Sequence, residues 1–169
     1  MARSIVLRQL TGSAKSRAQL EKKLADRDVP AEAAAAVLDR YEDLGLVDDA
    51  EFARTWVRSR VEYRHLGRSA LRRELSLKGV DRDTVEDALA DVTDDQEYAG
   101  ALALLRRKVT AADRRDLAAP DGDRQRLVRR LVGMLARKGY PPGTAFRAVT
   151  EVLGDDGDGA DPDAAELGV

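Results

Sequence analysis

The sequence predicts an all-α fold, an elongated tandem array of three-helix, helix-turn-helix-like repeats. Three observations predict it. First, Leu20, Leu24 and Val29 recur as Leu71, Leu75 and Val80, 51 positions on, and again as Leu131, Leu135 and Tyr140, a further 60 on. A period of this size marks supersecondary units that must stack to bury a core. Second, the apolar residues keep the i, i+3, i+4 spacing of one helix face. Third, 36% of the residues are charged and only 4% aromatic, so thin units with much exposed surface must build their cores from Leu, Val and Ala.

The elements follow in order. Residues 1–14 carry an N-terminal helix, centred on Ser4 to Leu10, that covers the first repeat. Repeat one spans residues 15–65 and repeat two spans 66–110. Ser16 stands three residues before Gln19, the capping-box spacing, and Leu20 and Leu24 follow on one face. Gly67, an acceptable N-cap, takes the place of Ser16 in repeat two. These helices end near Asp28, Gly79 and Gly139, where a left-handed residue closes a helix and glycine adopts that conformation without steric cost. The second helices begin near Pro30, Asp81 and Pro141. Their apolar stripes are Ala34, Val37, Leu38, Tyr41 and Leu44, then Val85, Ala88, Leu89 and Val92, then Ala145, Ala148, Val149 and Val152.

A further echo opens the third helices. Asp48-Asp49-Ala50-Glu51-Phe52-Ala53 matches Asp94-Asp95-Gln96-Glu97-Tyr98-Ala99 at an offset of 46, so the preceding turn is five residues shorter in repeat two. Asp48 and Asp94 are read as caps to which Glu51 and Glu97 reach back. Trp56 and Tyr98 have two readings, at the contacts between repeats or inside each repeat's own core. Residues 111–122 form a polar linker and hinge, and repeat three, residues 123–153, lacks a third helix. Residues 154–169, punctuated by Gly and acids, read as a disordered acidic tail.

Composition also bounds chemistry. The chain has no cysteine and one histidine, His65, so the usual nucleophile–base pairs cannot be assembled and no catalytic residue is assigned. No cofactor or metal is expected, because capping accounts for the paired aspartates at Asp48-Asp49 and Asp94-Asp95. No apolar run approaches a membrane span and no signal peptide is evident, so the chain is expected to be cytoplasmic.

The net charge of −2 conceals a division. Seven of the 31 acids lie in residues 151–169, which leaves 29 bases against 24 acids before that stretch. Two regions concentrate the excess. Residues 54–78 hold eight bases against Glu62 and Glu74, and residues 101–138 hold eleven bases against Asp113, Asp116, Asp121 and Asp123. Such faces contact phosphates or acidic protein surfaces, or are simply solvated helix faces. Arginine's planar fork suits carboxylate and phosphate alike and does not choose between them.

The run Leu46-Val47-Asp48-Asp49-Ala50-Glu51-Phe52-Ala53-Arg54 carries a resemblance. So do residues 67–80, from Gly67-Arg68-Ser69-Ala70 through Leu77-Lys78-Gly79-Val80, and the late Arg137-Lys138-Gly139-Tyr140. Together they resemble the RecX family of bacterial recombination regulators, over roughly residues 4–153. Asp28 stands where that family usually has glycine. The resemblance implies tandem three-helix repeats in an elongated, curved body. It also implies a regulator that lies in the groove of the RecA nucleoprotein filament and inhibits RecA's recombinase, ATPase and co-protease activities, modulating DNA repair and the SOS response. Separately from the resemblance, the chain is expected to be a monomer. Direct binding of single- or double-stranded DNA is the alternative, with Trp56, Tyr63 and Tyr98 the only stacking candidates near the basic regions. For either partner the candidate contacts are Arg64, Arg68, Arg72 and Arg73 at a repeat junction, then Arg126, Arg129, Arg130 and Arg137.

Overall fold

The computed structural model describes residues 1–119 and 122–154, and these form ten α-helices with no strand among them. Helices α1 (Ala2–Gly12), α2 (Arg17–Ala25) and α3 (Ala31–Asp43) enclose the first apolar cluster: Val6, Leu20, Leu24, Ala34, Leu38, Tyr41 and Val47. Helices α4 (Asp49–Arg64), α5 (Arg68–Leu77) and α6 (Arg82–Ala90) enclose the second, around Phe52, Val57, Leu71, Leu75, Val85 and Leu89. Helix α7 (Asp94–Lys108) encloses the third with α9 (Arg124–Arg137) and α10 (Pro142–Leu153), around Leu105, Leu131, Leu135, Ala148 and Val149. Helix α8 (Ala111–Ala118) lies between α7 and α9 and buries no residue fully.

Packing units and sequence repeats are thus offset by one helix. The sequence assigns the helices after Asp48 and Asp94 to the ends of repeats one and two. In the structure they open the following units, because Phe52, Ala53 and Val57 face α5 and α6, while Ala101, Leu104 and Leu105 face α9 and α10. The third unit therefore has three main helices, its first supplied by the chain before the polar connection. A repeat period fixes which residues are equivalent but not which neighbour a helix packs against.

Several helix ends are set by side chains the sequence singles out. Ser16 accepts the Gln19 amide while Gln19 Oε1 accepts the Ser16 amide, a closed capping box. Asp48 caps α4 by accepting the Glu51 amide at 2.8 Å. One cap is corrected. Thr93, not Asp94, caps α7, and Gln96 rather than Glu97 closes the box. Both residue pairs satisfy the same spacing, and the one-residue shift frees Glu97 for another contact.

The expected polar linker is corrected too. Thr110 caps α8 in a reciprocal box with Asp113, and α8 occupies most of residues 111–122. Asp at the third helical position completes a box as Glu would, and no strong apolar stripe advertises so short a helix. Pro120 and Asp121 lie outside the described residues, as do residues 155–169 and with them nearly all of the expected acidic tail.

Asp28, Gly79 and Gly139 are all left-handed, with φ of 56°, 77° and 92°. Two of these turns join the units. Ser16 Oγ donates to the Lys78 carbonyl at 2.5 Å, so the start of α2 meets the turn after α5. The start of α5 meets the turn after α9 in the same way: the Gly67 amide donates to the Lys138 carbonyl at 2.9 Å and the Ser69 amide to the Gly139 carbonyl at 3.3 Å. The approach is backbone to backbone. A Cβ on Gly67 would lie 2.5 Å from the Gly139 carbonyl oxygen, and one on Gly139 would lie 2.3 Å from the Ala70 nitrogen. Tyr140, buried beside this contact, donates its hydroxyl to the His65 carbonyl at 2.9 Å, and burial pushes its pKa above the ordinary phenol value.

Gly67 tests the close approach without confounding strain, because its φ of −77° suits any residue. Gly67→Ala should lower stability by about 2 kcal/mol through forced separation of the units. Gly143→Ala, on open α10 surface, should be neutral or stabilise by up to about 1 kcal/mol. Thermal or urea unfolding of the two variants checks the contrast.

Candidate functional site

The junction between the second and third units shapes a surface as well as a fold. It brings the outer face of α5 beside the C-terminal end of α9. Between them runs a groove lined by Leu66, Ala70, Arg73, Leu77, Met134 and Arg137, with Lys138 and Glu74 at its edge. Leu77 is 88% exposed there, which a solvated face alone does not call for. A second groove continues from the first, sharing Met134 and Arg137 and adding Lys108, Arg130 and Asp113.

The charge of this surface follows from which partners are already engaged. Glu74 accepts the Trp56 indole N–H at 2.8 Å and Arg60 Nε at 3.2 Å, so its charge is answered inside the second unit. Asp113 pairs with Arg130 at 2.7 Å. Its carboxyl is held down at about 2, first by the Thr110 amide and hydroxyl and then by Arg130. Arg73, Arg137, Lys138 and Lys108 have no ion pair among the described residues. The result is an apolar floor with a rim of uncompensated cations, spanning two units held at a fixed angle.

Two RecX three-helix domains match the chain, the first over residues 2–40 and the second over residues 48–89. Those spans coincide with α1–α3 and α4–α6. The "Regulatory protein RecX" of Streptomyces coelicolor is 45% identical over 157 residues, covering 93% of this chain and 80% of that protein. The protein of the same name from Thermobifida fusca is 47% identical, covering 92% and 80%. The chain belongs to the RecX family. The crystal structure of RecX from Lactobacillus salivarius superposes with a TM-score of 0.77 at 21% identity, over 90% of this chain and 94% of that one, and shows the same fold.

In this RecX-family chain the structure brings together only some of the arginines the sequence singles out. Arg73, Arg130 and Arg137 line the joined grooves. Arg126 and Arg129 lie on the exposed face of α9, toward its N-terminus, and Arg64 ends α4 beside exposed Tyr63. Arg72 is turned to Glu86 in a bidentate pair of 2.5 and 2.9 Å, which holds the Glu86 carboxyl below its usual range.

Arg68 has a different task. At the first position of α5, its amide donates to Glu97 Oε1 at 2.8 Å. Its guanidinium donates to Glu97 Oε2 at 3.1 and 2.9 Å and also reaches Asp94. Glu97 is only 4% exposed, so this contact fastens α5 to α7 across the junction. Sequence reasoning missed Glu97 because its echo of Glu51 suggested a cap. It also missed Lys108 and Met134, whose roles come from the α7–α8 turn and from the junction.

Trp56 donates its indole N–H to Glu74 of α5 and Tyr98 its hydroxyl to Glu151 of α10, so each ring stands where one sequence repeat meets the next. Arg60 and Lys78 each lie 4.0 Å from the Trp56 ring, and Arg147 lies 3.8 Å from Tyr98, so cations already cover both aromatic faces. Among the described residues no group of three His, Cys, Asp or Glu is placed to hold a metal ion, and no helix is long and apolar enough to cross a membrane.

Two predictions follow from this geometry. Arg68→Glu leaves buried Glu97 facing a like charge and should cost about 2 kcal/mol, discounted for the arginine's partial exposure. Arg72→Glu, in an exposed pair, should cost less than about 1 kcal/mol. Equal losses in thermal unfolding would contradict the assigned junction role. Second, the depressed Asp113 carboxyl stabilises α8 above its unfolded value of 3.8, and that contribution is lost as pH falls toward about 2. Carboxyl NMR titration should place Asp113 near 2, and Arg130→Ala should raise it only in part, since the Thr110 donors remain.

Proposed function

We propose that this chain binds the RecA–DNA filament and inhibits RecA's recombinase, ATPase and co-protease activities, thereby modulating DNA repair and the SOS response. The observation that carries the reading is the cationic, apolar-floored surface across the α5–α9 junction, on a chain of the RecX family. Such a surface fits a partner offering carboxylates or phosphates around an apolar contact. Stacked units add further contacts at fixed spacing, so individually weak interactions combine through effective concentration. A monomer acting in the cytoplasm suits this role, with binding rather than catalysis as the mode of action.

A second reading, direct DNA binding, has its own support. Tyr63 is 72% exposed and adjoins Arg64, a stacking ring next to a phosphate-binding fork. If phosphate contacts dominate, affinity for single-stranded DNA falls linearly on a log–log plot against salt.

Titration into RecA's DNA-dependent ATPase tests the main reading. Suppression is expected at substoichiometric amounts, and no effect on ATPase or strand exchange at stoichiometric excess would overturn it. The Arg73→Glu, Arg137→Glu double variant should raise the half-inhibitory concentration by about tenfold, on the order of 1.4 kcal/mol, with an unchanged melting temperature.

A further inference from the structure

The acid-rich segment after α10 has a counterpart on the folded body. Residues 155–169 contain Asp155, Asp156, Asp158, Asp161, Asp163 and Glu166 and no base. The segment leaves the body at Gly154, whose carbonyl accepts Arg124 Nη2 at 2.6 Å, at the N-terminal end of α9. Along the outer face of α9 run Arg126, Arg129, Arg130 and Arg137, all exposed. Their spacing of three, four and eleven residues from Arg126 keeps them on one stripe, opposite the buried Leu127, Leu131 and Leu135. Arg130 is paired with Asp113, whereas Arg126, Arg129 and Arg137 have no ion pair among the described residues.

We propose that residues 155–169 bind back onto the α9 arginine stripe and compete there with polyanionic partners. The geometry permits it. The stripe is about 16 Å long at 1.5 Å per residue. Reaching it from Gly154 requires passing around one helix, roughly another 15 Å. Fifteen residues extend to about 50 Å, so the segment spans both distances with slack. Being tethered, it meets the stripe at millimolar effective concentration. The charges are complementary and spread along both partners, so a succession of carboxylates occupies the positions that phosphates of a nucleic-acid strand would take. The segment then acts as a built-in competitor, raising the threshold for binding at low salt and losing its effect as salt screens the contact.

The absence of cysteine makes the test direct. A nitroxide attached to the full chain at Ala164→Cys reports contact through paramagnetic broadening of backbone amide signals. Broadening confined to α9 is expected at low salt. It should be lost when the six acids are changed to Asn or Gln, and equally lost in Arg126→Glu, Arg129→Glu. A short thymidine oligonucleotide should displace the tail and restore the α9 signals, and the neutralised tail should raise its affinity severalfold. Absence of selective α9 broadening, or broadening that survives neutralisation, overturns the docking. Failure of the oligonucleotide to restore the signals overturns the competition. No RecA is present in this experiment, so its result is separate from that of the ATPase titration.

Discussion

The backbone contact between Gly67 and the Lys138-Gly139 turn is the constraint on which the interface depends. It lets α5 approach the end of α9 closely enough for two amides to reach carbonyls of the neighbouring unit. Glycine at both positions removes the atoms that would hold the units apart. Arg68 and Glu97 then fix the angle by joining α5 to α7, and Tyr140 closes the buried side through His65. No unit of this size has a core large enough to be independent. The junction therefore supplies stability and, in the same contacts, sets the spacing between Arg73 on one unit and Arg137 on the next.

The way acids are used explains why a chain of net negative charge presents a cationic face. Asp48, Asp81 and Asp123 cap helices by accepting amides of the first turn, and Asp113 closes the α8 box by accepting the Thr110 amide. Glu51, Glu86 and Glu97 pair with arginines of their own or the adjoining unit. Those carboxylates are committed to structure. The bases outnumber the acids in residues 1–150, and among the described residues Arg73 on α5 and Arg126, Arg129 and Arg137 on α9 have no ion pair. Charge polarity here results from the demands of helix ends and junctions as much as from the count of residues.

Much of the fold was legible because each unit writes the same local chemistry. Leu20 and Leu24, Leu71 and Leu75, and Leu131 and Leu135 are buried as their spacing implies, and the turns after them are left-handed in all three places. What escaped was the partner of each helix. Phe52 and Ala53 announce an apolar face, but nothing in their spacing says whether it meets the helices before or after. The site was legible in part for the same reason. Arg73 and Arg137 could be named as basic, yet their exposure is not written in their spacing, and their proximity depends on Gly67 and Gly139 meeting, residues 72 positions apart in the chain. Arg68 carries the same side chain and sits five residues from Arg73, but its place at the first turn of α5 gives it to Glu97.

The unequal repeat offsets have a structural cause. Between α4 and α5 the chain needs only the three residues 65–67, whereas between α7 and α9 it takes residues 109–123, including α8. The insertion lengthens the second offset from 51 to 60 despite the shorter turn before α7. Only its edges touch the core, through buried Val109 and half-buried Leu117. It turns Asp113 toward Arg130 and places Lys108 and Thr110 beside Arg137. Repetition builds a stack whose units are interchangeable in principle. The added helix and the glycine junction distinguish the third unit from the first two, and they do so where the uncompensated cations gather. A repeat protein acquires direction in this way: repeated stacking geometry holds the units, and one departure from it makes the two ends of the stack unlike.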